Sequence, residues 1–260
     1  MSILKLKDRI ETYQNISDYK LLGRVPVIIS VNGRSFDKTT SLIDKPFCQK
    51  FSDIMANITL KLCSEIEGTI FSYQFNDEIV LITRNDQNVD TLPWYDNRIQ
   101  KICSVASSVA TFHFNSLADN LDLIGEGMFT TQVFVVPNLA EAINTIIYKQ
   151  QQNFHLSVQM ACFYELIKKY NKNSIKEMIS GLSMDEKIDL LGQECGVDFN
   201  TYPIGFRRGL AAYKIPKVVG EIMKNKWFIN DELPIFTKDP SFLSNIMKNG
   251  GIDIFRRENL

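Results

Sequence analysis

The order of its apolar runs is what most constrains this chain. Residues 25–31 form a β-branched run closed by the breaker Asn32-Gly33, the pattern of a buried strand. Residues 47–66 then place Phe47, Phe51, Ile54, Ile58, Leu62 and Ile66 at three- and four-residue spacing, one apolar face of a helix. Pro46 stands at its start, where a missing N–H is harmless, and Gly68 lies just past its end. Residues 69–75 and 79–84 flank a tight Asn76-Asp77-Glu78 turn and read as an antiparallel hairpin. A second amphipathic helix is expected over 92–114, with Ile99, Ile102, Cys103, Ala106, Val109 and Ala110 inward, and a fourth strand over 129–136. Strand, helix, strand, strand, helix, strand is the split βαβ, or ferredoxin-like, order. It predicts an α+β fold: a four-stranded antiparallel sheet with both helices on one face and the other face left for a substrate or for further elements.

Beyond residue 136 the pattern turns mainly helical. A long helical stretch covers 139–170, with a bend expected at 150–153, and shorter helices cover 175–179 and 185–195. Short strands are expected at 208–213, 227–229 and 233–236, and a terminal helix at 242–248. No linker rich in Gly, Ser or Pro divides the chain. The organisation expected is a palm-like core over residues 1–137 with a helical and short-strand appendage over 138–260 packed on it.

Composition excludes several classes. At 260 residues the chain can bury a sizeable core, and a formal net charge of −1 gives no global basic field for nucleic acid. Cys48, Cys63, Cys103, Cys162 and Cys195 are odd in number, widely spaced and without a C-x-x-C pair. That usage points to reduced thiols in a cytoplasmic protein and away from zinc. The first 11 residues lack a signal peptide's apolar segment, and no stretch approaches the roughly 18 apolar residues of a membrane span, so no membrane partner is expected. Catalytic signatures built on G-x-S-x-G, H-E-x-x-H or a Walker loop are missing, and neither His113 nor His155 has a sequence neighbour that makes it a catalytic centre.

If the first strand and the hairpin lie side by side, Asn32 and Asp77 fall at neighbouring strand ends. A palm-type nucleotide-polymerising domain places its metal ligands in this way. Magnesium takes hard oxygen ligands, typically one or two carboxylates with phosphates and water. Asp77 suits that task, with Glu78 beside it, the Asn32 amide oxygen and the Gly33 carbonyl as neutral donors. Ordinary turn chemistry also accounts for Asn-Gly after a strand and Asn-Asp at a hairpin. Arg98 and Lys101 share a helix face, either as a solvated surface or as a grip on a triphosphate. Lys45, ahead of Pro46, carries the same two readings. Arg207-Arg208-Gly209, near Lys214 and Lys217 with Tyr202, Phe206 and Tyr213 interleaved, is either an RNA-phosphate strip or a charged edge that prevents aggregation.

Taken together these segments resemble the tRNA(His) guanylyltransferase family, most closely its bacterial-type branch of 3′-to-5′ polymerases. The resemblance runs from about Val25 to Ile235. The family's I-D-G-R-x-F segment is matched by Val31-Asn32-Gly33-Arg34-Ser35-Phe36, its K-P by Lys45-Pro46, and its S-D-E turn by Asn76-Asp77-Glu78. Its helical Arg and Lys, three apart, fall on Arg98 and Lys101. The F-D-A-R-V strand falls on Phe129-Thr130-Thr131-Gln132-Val133, the W-R-Q-x-D helix start on Tyr148-Lys149-Gln150-Gln151-Gln152, and the K-R-G segment on Phe206-Arg207-Arg208-Gly209. Pro234–Thr237 matches the late P-I-F-T.

The resemblance implies a palm-like catalytic core with two magnesium ions and GTP or ATP as substrates. A 5′-monophosphate on tRNA or a related RNA would be activated by the triphosphate, then attacked by the 3′-hydroxyl of an incoming nucleotide. It makes Asp77, Glu78 and Asn32 catalytic, with Asn32, Gly33 and Asp77 on metal. It sets Lys45, Arg34, Asn76, Arg98 and Lys101 on the nucleotide, sets Lys149, Arg207 and Arg208 on RNA, and implies a homodimer or homotetramer. The departures fall at sensitive positions: Asn32 for Asp, Asn76 for Ser, Thr130 and Gln132 for Asp and Arg, Lys149 and Gln152 for Arg and Asp. They leave an alternative open, a catalytically impaired relative that binds nucleotide or RNA as a regulator.

Overall fold

The computed structural model describes residues 5–254 except Val89 and Glu221. In chain order its elements are α1 (Leu6–Asn15), β1 (Val27–Gly33), a short α2 (Phe36–Thr39), α3 (Gln49–Glu65), β2 (Thr69–Phe75), β3 (Glu78–Thr83), α4 (Ile99–Leu117), β4 (Phe129–Val135), α5 (Leu139–Leu166), α6 (Lys172–Ile179), α7 (Met184–Cys195), α8 (Ile204–Arg208), β5 (Leu210–Val219), β6 (Ile222–Asn230) and α9 (Pro240–Lys248). The strands join in the order β4-β1-β3-β2-β5-β6, all pairs antiparallel. The first four strands are the ferredoxin-like set expected from the sequence.

The strands are apolar on both faces because both faces are covered. Val27, Ile29, Val31, Ile79 and Leu81 pack under Met55, Ile58 and Leu62 of α3 and Ile102, Ala106, Ala110 and Phe114 of α4. Ile28, Tyr73, Val80 and Ile82 point the other way, against Ala142 and Ile146 of α5 and Leu243, Ile246 and Met247 of α9. The side-chain period of two sorts these sets, except where the β2 register shifts between Thr69 and Phe71 and places Ile70 and Phe71 in the same cluster. A third cluster, including Val158, Leu166, Ile175, Leu191 and Phe206, joins the far half of α5 to α6, α7 and α8.

The structure corrects four local expectations. The sheet has six strands because a long β5–β6 hairpin adds to β2. Its outer half carries Pro216 and mixes Lys217, Lys224 and Lys226 with exposed Val218, Ile222 and Met223, so no alternating apolar face marks its length. Arg208 belongs to α8 and not to a strand, and residues 233–236 are irregular backbone. The second helix starts at Ile99, since Tyr95, Asp96 and Asn97 take φ of 48°, 53° and 57° and break any helix from 92. Hydrogen bonding continues through 150–153, so Leu139–Leu166 is one helix.

Gln150 explains how irregular backbone is tolerated there. Its buried amide donates to Pro234 O at 3.0 Å and Arg208 O at 3.3 Å, and accepts from Phe236 N–H at 2.8 Å. Gln150→Leu keeps the volume and strands those groups, so a loss of about 2–4 kcal/mol is expected in urea unfolding. A change below about 0.5 kcal/mol would show that the segment is held by Leu233 and Phe236 packing alone.

Candidate active site

The β1–β3 register pairs Asn32 with Glu78, and the Gly33 N–H donates to Asp77 O at 3.0 Å. The end of β1 therefore lies against the β2–β3 turn, as expected. Phe75 pairs with Glu78, so the turn has two central residues, Asn76 and Asp77. Asn76 takes φ +49°, a conformation asparagine accepts more readily than other side chains, and its Nδ2 donates to Asp77 Oδ1 at 3.0 Å. Asparagine at this position thus shapes the turn and orients the carboxylate. A Cβ on Gly33 would come within 2.7 Å of Asp77 Oδ2 and 2.5 Å of the Phe36 ring. Only glycine leaves that cradle open.

On the α5 face, four side chains form one chain of hydrogen bonds. Asn32 Nδ2 donates to Ser30 Oγ at 3.1 Å, Ser30 Oγ donates to Glu78 Oε1 at 2.9 Å, and Lys149 Nζ meets the same Oε1 at 2.6 Å. Lys149 thus points into this cluster. Ser30 was not singled out from sequence, although it lies two residues before Asn32 and so on the same sheet face.

On the other side stands Lys45, whose Nζ lies 3.5 Å from Thr40 Oγ1 and 5.7 Å from the centre of the Tyr164 ring. Burial pulls its ammonium below its usual pKa, with Cys48 and Asp77 opposing. Burial pushes the Asp77 carboxyl up to about 6; Glu78 and Asp37 add repulsion, while a backbone hydrogen bond and Lys45 oppose it. Asp77 is thus a carboxyl shifted chiefly by burial, the kind of perturbed group that clusters at functional sites. Asp37 was also not foreseen.

Arg98 and Lys101 are not brought to this cluster. Phe129 N–H donates to Thr111 Oγ1 at 3.1 Å and Phe129 pairs with Gly33, so the C-terminal half of α4 lies at the Asp77 end of the sheet. Asn97 and Ile102 instead share a crevice with Val27 and Thr83 at the opposite end, six strand steps or about 20 Å away. Arg98 pairs there with Asp18 at 3.3 Å. Arg34 follows Gly33 with an exposed side chain, its N–H donating to Met128 O at 2.7 Å.

Two hollows flank α5. One, of about 420 Å³, has Ile28, Ser30, Val80, Gln132 and Phe134 as its floor and ends at Lys149. The other, of about 480 Å³, is rimmed by Arg207 and Arg208 with His155, Asp185 and Asn200. Both arginines are partly engaged: Arg207 Nε donates to Tyr202 O at 2.9 Å and Arg208 Nη1 to Leu233 O at 3.0 Å.

The donors gathered at these strand ends, the Asp77 carboxylate, the Asn32 amide oxygen and the Gly33 carbonyl, are of the hard-oxygen kind that a divalent cation takes. Among the described residues, no group of three or more His, Cys, Asp or Glu is placed to hold a metal. No helix among them is long and apolar enough to cross a membrane.

A sequence model of the tRNAHis guanylyltransferase family matches residues 7–137. The structure resembles a bacterial tRNA(His) guanylyltransferase-like protein solved in complex with ATP, with a TM-score of 0.80 and 25% identity, covering 93% of this chain and 98% of that one. A complex of such a protein with GTP gives a TM-score of 0.77 at the same identity and coverage. The tRNA(His) guanylyltransferase 1 of Arabidopsis thaliana is 21% identical over 227 residues, 84% of this chain. The match spans only 39% of the Arabidopsis protein.

Proposed function

This chain belongs to the tRNA(His) guanylyltransferase family, and on that premise we propose that it is a nucleotidyltransferase acting on the 5′ end of tRNA or a related RNA. It would extend that end in the 3′-to-5′ direction with GTP or ATP. The observation that carries the reading is the meeting of Gly33 and Asp77, with Lys45 on one side and Glu78 on the other. Turn residues without a task would not hold a half-buried carboxylate at a raised pKa beside a half-buried lysine.

Asp77, Asn32 and the Gly33 carbonyl would hold magnesium, which supplies neutralisation of triphosphate charge and activation of the attacking hydroxyl. Lys45 is placed to pair with phosphate oxygens as they approach Asp77. Its loss of hydration through burial makes an arriving phosphate more welcome. Glu78 is held by Ser30 and Lys149 and keeps the strand end rigid. The hollow beside Lys149 offers room for the RNA end, and the arginine-rimmed hollow a second contact with its backbone.

The test is incorporation of labelled GTP into a 5′-truncated tRNA with magnesium. Label in the RNA that disappears in Lys45→Ala supports the proposal; label in protein or small molecules only would refute it. A second reading, nucleotide binding without turnover, draws on Asn32, which removes a charge from the site. Binding without incorporation, with activity gained in Asn32→Asp, would decide for it.

A further inference from the structure

We infer that the hollow beside Lys149 takes the sugar and base of the RNA's 5′-terminal nucleotide, with the Phe134 ring as the surface on which that base stacks. The inference rests on the RNA reading above and names which part of the RNA end this hollow receives.

Strand pairing sets the floor of this hollow in rows. Ser30 stands between Gln132 and Val80, and Ile28 between Phe134 and Ile82, all on the α5 face. The next row is Thr130, Asn32 and Glu78, two residues or about 7 Å further along the strands. The helix α5 packs on Val80 and Ile82 but leaves the edge strand β4 open. Thr130, Gln132 and Phe134 are exposed there, Phe134 by 37%. The hollow of about 420 Å³ is therefore an uncovered stretch of sheet that runs up to the candidate metal ligands. Ser30 and Lys149 line it and also hold Glu78. A 5′-phosphate held at Asp77 has its own ribose and base beside this floor, and the volume lies in the range of small-ligand sites.

The chemistry of the lining selects a base over a phosphate. Two charged side chains border the hollow, Glu141 and Lys149. Lys149 is occupied by Glu78 at 2.6 Å, and Glu141, which accepts from Asn144 Nδ2 at 3.0 Å, keeps its negative charge. A phosphate entering here meets no spare cation. Ile28, Val80 and Phe134 instead offer apolar contact, and Tyr148, 56% exposed, accepts from Gln152 Nε2 at 2.6 Å, which steadies its ring. Aromatic side chains stack on any base, because every base has a π-face. The Gln132 amide makes no hydrogen bond among the described residues. It stands between Phe134 and Thr130 on the same face, with a donor group and an acceptor for a base edge.

The test is a thermodynamic cycle on the full chain, read by filter binding with magnesium and without triphosphate. One RNA is a 5′-phosphorylated tRNA lacking its first nucleotide; the other is the same RNA with an abasic 5′-terminal residue. Removing the base is expected to weaken binding to the unaltered chain about tenfold or more. Phe134→Ala should weaken the base-bearing RNA to the same degree and the abasic RNA not at all. Phe134→Leu, which keeps apolar bulk without a ring, should behave alike and guards against misfolding of the first variant, and Phe134→Tyr should restore binding. The slope of log affinity against log salt should stay unchanged in Phe134→Ala, since no phosphate contact is lost. Equal losses on both RNAs, a shallower slope, or no loss on either with native circular dichroism would overturn the inference and leave the RNA reading standing. Absence of RNA binding by the unaltered chain would overturn both.

Discussion

Replacing Asp77 with asparagine is expected to lower nucleotide incorporation by about a thousandfold or more, the scale for loss of a group that stabilises developing charge. The same change is expected to make the metal-free protein more stable. Burial holds the folded-state pKa of Asp77 at about 6, against 3.8 as the ordinary value. A carboxyl whose pKa is raised on folding destabilises the fold wherever it is ionised. The penalty is absent below about pH 4, grows as the pH rises through the folded value, and is complete above it. Two units correspond to roughly 3 kcal/mol, of which partial exposure leaves about 2. Urea unfolding in chelator should show Asp77→Asn more stable by about that amount at pH 8, and the difference should vanish near pH 4. A variant less stable than the parent at pH 8 would make Asp77 a structural carboxylate and remove the case for a cation site.

Gly33→Ala is expected to damage both stability and activity. The new methyl would sit 2.5 Å from the Phe36 ring and 2.7 Å from Asp77 Oδ2. Phe36 cannot withdraw easily, because its ring packs on Phe114 and Phe129 with centroids 5.0 Å away in each case. Overpacking of this kind costs about 1–3 kcal/mol. The carboxylate is the softer neighbour and should shift, and a displacement of about 1 Å is enough to lower a rate about a hundredfold. Gly23→Ala, with nothing within 4 Å of the added carbon, is the control and should be near neutral. Equal activity in Gly33→Ala and Gly23→Ala would show that the cradle has no part in the chemistry.

Most of the palm was legible before any coordinates. β1 through β4, α3 and α4 each carry a period that burial imposes, and the register that joins Asn32 to Glu78 follows once the hairpin is placed. The Asn76-Asp77 turn announced itself through residues that few other conformations need. Legibility failed where side chains answer to something other than the core. The outer half of the β5–β6 hairpin mixes lysines with exposed apolar residues, so its strand period is not marked by hydrophobicity. The segment at 233–236 owes its course to Gln150, more than 80 residues earlier. Residues 95–97 depart from helix through backbone angles that their side chains do not advertise.

The same division holds for the site. Sequence by itself determined that Asn32-Gly33 closes one strand and that Asn76-Asp77 turns a hairpin, because strand period and turn length are local properties; the pairing of β1 with β3 then brought those ends together. Only the tertiary structure decided which cations join them. Lys149 arrives at Glu78 from α5, 71 residues later, and Lys45 from the loop before α3, whereas Arg98 and Lys101 are carried by the direction of α4 to the other end of the sheet. Charge gives a residue no period to read. Where a lysine's ammonium comes to rest is fixed by how helices pack on the sheet, which is a property of the whole chain.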